Sequence, residues 1–372
     1  MMATVADIIN VMETVAPARL AEKWDNVGLQ LGQEDWPVRN IWISLDPSFD
    51  VIDKACQSGV DLLITHHPLI FDPLKSIDFK TPIGSVIKMA AQHQLALFVA
   101  HTNLDSAAEG INDFLARRIG LKDLKALKIS SKLNIYKVVI YVPLEHEQRV
   151  LNALFETKAG EVGPYTCCSF RGLGKGTFKP GSSARPYSGK IDEISTADEI
   201  RIETVVREND IGDVIKKLSA VHPYETMAYD IYPLMDPGGT EGLGRVGTLD
   251  KSLDLVSFAK TIKKKLRLNT IKIAGKSDLT VKTAAVCSGS GSGLMNEFLS
   301  SGADVYISGD LKFHDARAVE GVGLGLIDIG HFASEHVMVD MLADRLKDIL
   351  INAGMDINVE ACDLENDPFM RL

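Results

Sequence analysis

The chain has 372 residues, enough for two or three domains with cores of their own. Apolar residues at 45% and charged residues at 24% are ordinary for a globular protein, and a net charge of −10 argues against a general nucleic-acid surface. The start lacks the basic and apolar regions of a secretion signal, and no apolar run reaches the length of a membrane span. Five scattered cysteines without zinc-finger spacing fit a reducing cytoplasm.

Residues 5–15 have the apolar spacing of an amphipathic helix, and Ile41-Trp42-Ile43-Ser44-Leu45 that of a strand. A helix over 49–58 ends at Gly59, and an apolar run then leads into Thr65-His66-His67-Pro68. A second helix over 83–93 precedes the strand 95–100, which leads into His101-Thr102-Asn103-Leu104-Asp105. This βαβ alternation predicts a largely parallel sheet between helices over residues 1–130.

The segment 131–243 has a different character. Strand 136–142, helix 147–158, strand 165–170, a Gly-rich hairpin through Gly172, Gly174 and Gly176, strand 199–206, helix 211–220 and strand 227–233 follow one another. The order βαββαβ is the ferredoxin-like unit. Polar or Gly-rich stretches at 128–134 and 236–244 bound it, as expected for an inserted domain. Within it, His222-Pro223-Tyr224-Glu225 reads as a helix terminator or as a ligand contact, and 172–180 as a flap.

From residue 244 to 372 the βα rhythm returns: helix 252–266, strand 283–287, strand 305–308, strand 324–329 and a long helix 334–350. Gly59-Val60-Asp61 through Thr65 parallels Gly302-Ala303-Asp304 through Ser308, and Ala100-His101-x-x-x-Asp105 parallels Gly330-His331-x-x-x-Glu335. The expected fold is therefore α/β, with two similar lobes forming one site and an α+β insert between them. The run Ser288-Gly289-Ser290-Gly291-Ser292-Gly293 follows a strand and precedes a helix, a place suited to anion binding by backbone N–H groups. It lacks the lysine of a P-loop.

Strand ends gather functional side chains in α/β folds. A single histidine there is ordinarily a surface or hydrogen-bonding residue, but three groups at three strand ends are not. His66, His67, Asp105, His331 and Glu335 are the candidate metal ligands, with too many donors for one tetrahedral ion and enough for two. His331 and Glu335 lie one helical turn apart on one face. Glu335 and Asp105 are the bridging candidates, because a carboxylate offers lone pairs on both oxygens. His101 is a further ligand or an orienting group, and His314 a pocket acid or base or a solvated helix residue. Trp24-Asp25-Asn26-Val27-Gly28-Leu29 reads as a capped turn or a pocket element. His with carboxylate suits Zn, Fe, Mn or Ni alike.

The Thr-His-His-Pro, His-Thr-Asn-Leu-Asp and Gly-His-x-x-x-Glu elements, with Trp-Asp-Asn-x-Gly-Leu near the start, resemble the dinuclear metal-centre hexameric family. Its members are called type 2 GTP cyclohydrolase I homologues or NGG-one-interacting-factor-three-like proteins. The likeness covers the whole chain, and the insert resembles the PII-like or CutA-like domain of the longer members. The resemblance implies a toroidal homohexamer, metal pairs facing an internal cavity, and the five ligands named above. It implies a metal-dependent hydrolase of a nucleotide or phosphorylated small molecule. GTP cyclohydrolysis is the specific version, with an activated water attacking purine C8 and His101 or His314 shuttling protons. The alternative is a non-enzymatic metal-binding or regulatory assembly that binds small molecules or protein partners. A nucleic-acid scaffold fits least.

Overall fold

The computed structural model describes residues 3–129, 135–163, 165–234 and 241–370, and its fold is mixed α/β with three sheets. The chain divides into two units, Met1–Ser131 with Gly239–Leu372, and Lys132–Gly238. The first unit begins with β1 (Gly28–Leu31), β2 (Asn40–Ser44), β3 (Leu62–Thr65), β4 (Ala96–Val99) and β5 (Lys122–Ile129). The second holds β6 (Ile135–Pro143), β7 (Ser169–Phe178), β8 (Ser195–Arg207) and β9 (Tyr229–Pro233). The chain then returns with β10 (Gly242–Asp254), β11 (Lys272–Ala274), β12 (Thr280–Ser290), β13 (Val305–Gly309), β14 (Gly325–Asp328) and β15 (Asn358–Ala361). Among the described residues no helix is long and apolar enough to cross a membrane.

In the first unit one sheet runs β1-β4-β3-β2-β15 and the other β11-β14-β13-β12-β10-β5. Each has a parallel triple at its centre, β2-β3-β4 or β12-β13-β14, with an antiparallel strand beside its last member. Strands β3, β4, β13 and β14 are short and wholly buried, which is why they read as continuous apolar runs. Alternation along β3 sends Leu62 and Ile64 to the side of Ile8, Met12 and Leu342, and Leu63 to the side of Val51, Ile52 and Val86. The helix Phe49–Gln57 starts where the Ser48 hydroxyl accepts from Val51 N–H.

The two triples also share their hydrogen bonds. The Asp61 carboxylate accepts from the N–H groups of Arg39 and Asn40, and Asp304 from those of Lys282 and Thr283. Ala100 N–H donates to Thr65 O, as Ile329 N–H does to Ser308 O.

The segments are less separate than the sequence reading expects. Strand β15, near the C-terminus, pairs in parallel with β2, and β5, from before the second unit, pairs antiparallel with β10. Each sheet thus takes a strand from the other segment, and residues 244–372 do not form a lobe alone. The first sheet is also less parallel than expected, because β1 runs against β4. The expected helix 334–350 is two helices, His331–Glu335 and Val337–Asn352, and the second packs into the first sheet's core. Arg245 on β10 is fully buried. Its guanidinium donates to the Asp113 carboxylate and to the carbonyls of Ala107, Gly242 and Gly244, so the charge is paired and its donors used.

The second unit has one antiparallel sheet, ordered β7-β8-β6-β9, with the helices Glu147–Phe155 and Ile211–Val221 packed on a core that includes Val138, Ile140, Leu154, Ile202 and Leu218. The expected hairpin through Gly172, Gly174 and Gly176 is a correction: all three lie inside β7, paired with β8, and the chain reverses within 179–194. Gly176 marks a crowded neighbour, since a Cβ there would come within 2.1 Å of Glu199 Oε2, whereas Gly172 and Gly174 face open space. The expected strand start at residue 165 shifts to Ser169, because Cys167 adopts a left-handed backbone at φ 59°.

Candidate metal centre

The ends of β3 and β4 and the helix after β14 meet in the first unit. His66 and His67 extend the β3 ladder, their N–H groups donating to Ser44 O and Leu45 O. His66 is completely buried and His67 half-buried. His101 sits at the start of the short helix Thr102–Ser106, which carries Asp105. His331 opens the helix that ends with Glu335, one turn along the same face.

All four rings are held from behind. Nδ1 of His66 meets Ala100 O at 2.9 Å, that of His67 meets Asp46 at 2.8 Å, that of His101 meets Asp25 at 2.9 Å, and that of His331 meets Asp310 at 2.7 Å. An imidazole fixed this way turns Nε2 forward as the free donor, which is how metal-ligating histidines are oriented. The orienting groups are themselves anchored. Thr102 donates to Asp25 through N–H and hydroxyl, and the Glu365 carboxylate accepts from the N–H groups of Leu45 and Asp46.

Two buried carboxylates face these nitrogens. Glu335 Oε2 lies 3.0 Å from His67 Nε2 and 2.8 Å from His331 Nε2, and its Oε1 lies 3.7 Å from His66 Nε2. Asp105 Oδ1 lies 3.9 Å from His66 Nε2 and accepts from the Ser288 hydroxyl at 2.7 Å. Gly289 has φ 64°, and a Cβ there would meet Glu335 Oε1 at 2.1 Å, so the backbone itself walls the carboxylate.

The short N···O approaches lack hydrogen-bond geometry. Four buried side-chain atoms among the described residues have no hydrogen-bond partner, and two of them are His66 Nε2 and Glu335 Oε2. Orphaned polar atoms in a core are costly, and a cation between them removes the cost. The donor atoms of His66, His67 and His101 lie within 4.8 Å of one another, as do those of His67, His331 and Glu335. The residues present therefore fit a divalent metal.

Without a cation the cluster holds protons instead. Burial opposes charge on His67, yet Asp46 and Glu335 raise it to about 10. Glu335 raises His331 to about 9 against burial, with help from Asp310. Burial would lift Glu335, but the imidazoles of His331, His66 and His67 hold it well below the usual carboxylate range. Asp105 is raised, by burial first and by Glu335, against the pull of His66. Asp25 is held down to about 2, because His101 and Thr102 outweigh its burial.

Of the residues singled out from sequence, His66, His67, His101, Asp105, His331 and Glu335 come together here. His314 does not: it is exposed on the first turn of the helix Phe313–Val322 with its ring against Phe313. At the start of the 288–293 run, Ser288 N–H donates to Asn112 and Gly289 N–H to Ser334. Asp25 enters as an orienting group, while the neighbouring Trp24 stays exposed, 6.0 Å from the His101 ring. Asp46 and Asp310, which the sequence reading missed, lie within two residues of the ends of β2 and β13. Strand-end position is the signal that marks them. A cavity of about 760 Å³ opens beside the cluster, bounded by His67, His331, Asp46, Asp310, Lys272 and Phe332.

The sequence model of Duf34/NIF3 (NGG1p interacting factor 3) matches residues 3–368. The chain belongs to the Duf34/NIF3 family. Among similar members, the Bacillus subtilis protein named GTP cyclohydrolase 1 type 2 homolog is 38% identical over 97% of each chain. The one of the same name from Halalkalibacterium halodurans is 37% identical, also over 97% of each. A Bacillus cereus protein related to NIF3 superposes with a TM-score of 0.80 at 35% identity, covering all of both chains. The metal-compatible cluster is thus part of a Duf34/NIF3 fold that spans nearly the whole chain.

Proposed function

We propose that this cluster is a dinuclear divalent-metal centre and that the protein is a metal-dependent hydrolase of a nucleotide or another phosphorylated small molecule. The observation that carries this is the pair of orphaned buried atoms, His66 Nε2 and Glu335 Oε2, where four back-held imidazoles converge. His66, His67, Asp105, His331 and Glu335 would be the ligands. Two divalent cations there would activate a water and offset the negative charge that develops during displacement.

The chain's own residues supply the rest. Glu335 presents one oxygen to His66 and the other to His67 and His331, the disposition of a bridging carboxylate. Ser288 fixes Asp105. His101, backed by Asp25, is the residue suited to take a proton from an attacking water. Lys272 on the cavity wall, 3.1 Å from Asp328, provides a positive group for a phosphate. The cavity of about 760 Å³ suits a nucleotide.

The same reading assigns residues 1–130 and 244–372 to the metal-binding part and 131–243 to an inserted PII-like domain. The element order β6, helix, β7, β8, helix, β9 supports a ferredoxin-like unit there. Assembly as a toroidal homohexamer in the cytoplasm completes it.

The relatives' name makes GTP the first substrate to try. Metal-loaded protein should turn over GTP or a member of a nucleotide and phosphoester panel, and the double variant His66→Ala, Glu335→Ala should not. Equal rates in the two would reject the centre as the source of activity. Tight metal retention with no turnover across the panel would favour a regulatory assembly instead.

A further inference from the structure

The Lys132–Gly238 unit has a cavity of its own, about 360 Å³, walled by Phe178, Pro186, Tyr187 and Tyr224 and floored by Glu199 and Glu225. It is built from the His222-Pro223-Tyr224-Glu225 motif, the end of β7 and the reversal at 179–194. Glu199 and Gly176 also line an adjoining cavity of about 220 Å³ along the Gly172-Gly174-Gly176 track of β7. Gly176 keeps the space over Glu199 clear, since a Cβ there would strike its carboxylate.

The charges around this cavity are uneven. Glu199 is only 8% exposed, and its carboxylate accepts from the Tyr224 hydroxyl at 2.8 Å. Glu225 accepts the backbone N–H of Arg185, and Glu145 accepts the Tyr187 hydroxyl. No lysine or arginine pairs with any of these three acids among the described residues. Lys179, on the cavity wall, lies 3.9 Å from Asp192, while Lys175 and Arg201, on the adjoining cavity, pair with Asp198 and Glu203. A nearly buried carboxylate is costly to keep ionised without a positive partner. Beside it the rings of Tyr187 and Tyr224 lie 5.9 Å apart, tilted at 46°, and form an aromatic corner. Aromatic faces with an uncompensated carboxylate attract an organic cation.

We propose that this cavity binds a small organic cation, a protonated or quaternary amine, with Glu199 as counter-ion and Tyr187 and Tyr224 as walls. The site is independent of the metal centre. The test is calorimetric titration of the full-length protein with choline, agmatine and putrescine, and with 3,3-dimethylbutan-1-ol as the uncharged analogue of choline. At least one cation should saturate at one site per chain, and the uncharged analogue should bind at least about tenfold more weakly than choline if choline is the ligand. Glu199→Gln keeps an acceptor for the Tyr224 hydroxyl and should weaken cation binding by about tenfold or more. Tyr187→Ala, at a half-exposed position, should weaken it as well. Glu335→Gln should titrate like the unaltered protein. The proposal is overturned if no cation saturates, if Glu199→Gln binds as tightly as the unaltered protein, or if Glu335→Gln abolishes binding.

Discussion

Strands β3 and β13 occupy the same place in their sheets, end in the same hydrogen bonds, and do different chemistry. After Thr65 come His66 and His67, both facing the cluster; after Ser308, in the matching positions, come Gly309 and Asp310. A side chain at 309 has no room, since a Cβ would lie 2.6 Å from His331 N. Asp310 turns to the back of His331 rather than toward the cluster. The first sheet thus contributes three imidazoles and a carboxylate, and the second one imidazole and Glu335. A shared scaffold has produced one composite site, in which a position that presents a donor on one side orients a donor on the other.

That comparison can be broken or sharpened in several ways. The largest effect should come from the scaffold. Arg245→Ala would leave Asp113 buried without its cation and should lower stability by about 3–5 kcal/mol, measured by urea unfolding. A loss near zero would mean that β10 does not need this brace. Next is the asymmetry of the two acids. Glu335 touches three imidazoles and Asp105 one, so Glu335→Gln should reduce divalent-metal affinity by more than about 100-fold, and Asp105→Asn by less. Equal losses in metal titrations would contradict the unequal roles.

The orienting carboxylates come third. Asp46→Asn and Asp310→Asn should each lower metal affinity by about 10- to 100-fold while leaving the fold intact by circular dichroism. Unchanged affinity would show that the Nδ1 contacts are incidental.

Proton competition is a fourth handle. His67 and His331 are raised to about 10 and about 9 without metal, so binding near neutral pH must expel protons. Metal affinity should rise by about tenfold or more per pH unit between pH 6 and 8. The sign for the metal-free fold is opposite. The folded values exceed the ordinary imidazole value of 6.5, so the stabilisation is complete below that pH and is lost as the pH rises through 9 to 10. Thermal melts of chelator-treated protein across this range check the direction. The smallest effect tests the shared scaffold directly: Asp61→Ala and Asp304→Ala each free two backbone N–H groups and should cost similar amounts, about 1 kcal/mol.

The histidines were legible because β3 and β4 are short apolar runs that stop at polar residues, so their ends could be placed closely. Asp46 and Asp310 were not. Acids after strands are common, and only the fold shows which imidazole each one backs. Strand β5 was hidden by its Lys-rich, half-exposed sequence, and β15 by its four-residue length at a sheet edge. Gly172, Gly174 and Gly176 misled because glycine signals turns, whereas here pairing with β8 holds them extended. His314 shares its strand-end context with the true cluster, and its helix leaves it exposed.

Anomalous diffraction from crystals of the metal-loaded protein tests the central claim most directly. The account predicts two peaks between the sheets, within about 2.0–2.2 Å of imidazole nitrogens of His66, His67 and His331 and of Glu335 oxygens. Peaks elsewhere, with these side chains contacting no ion, would contradict it.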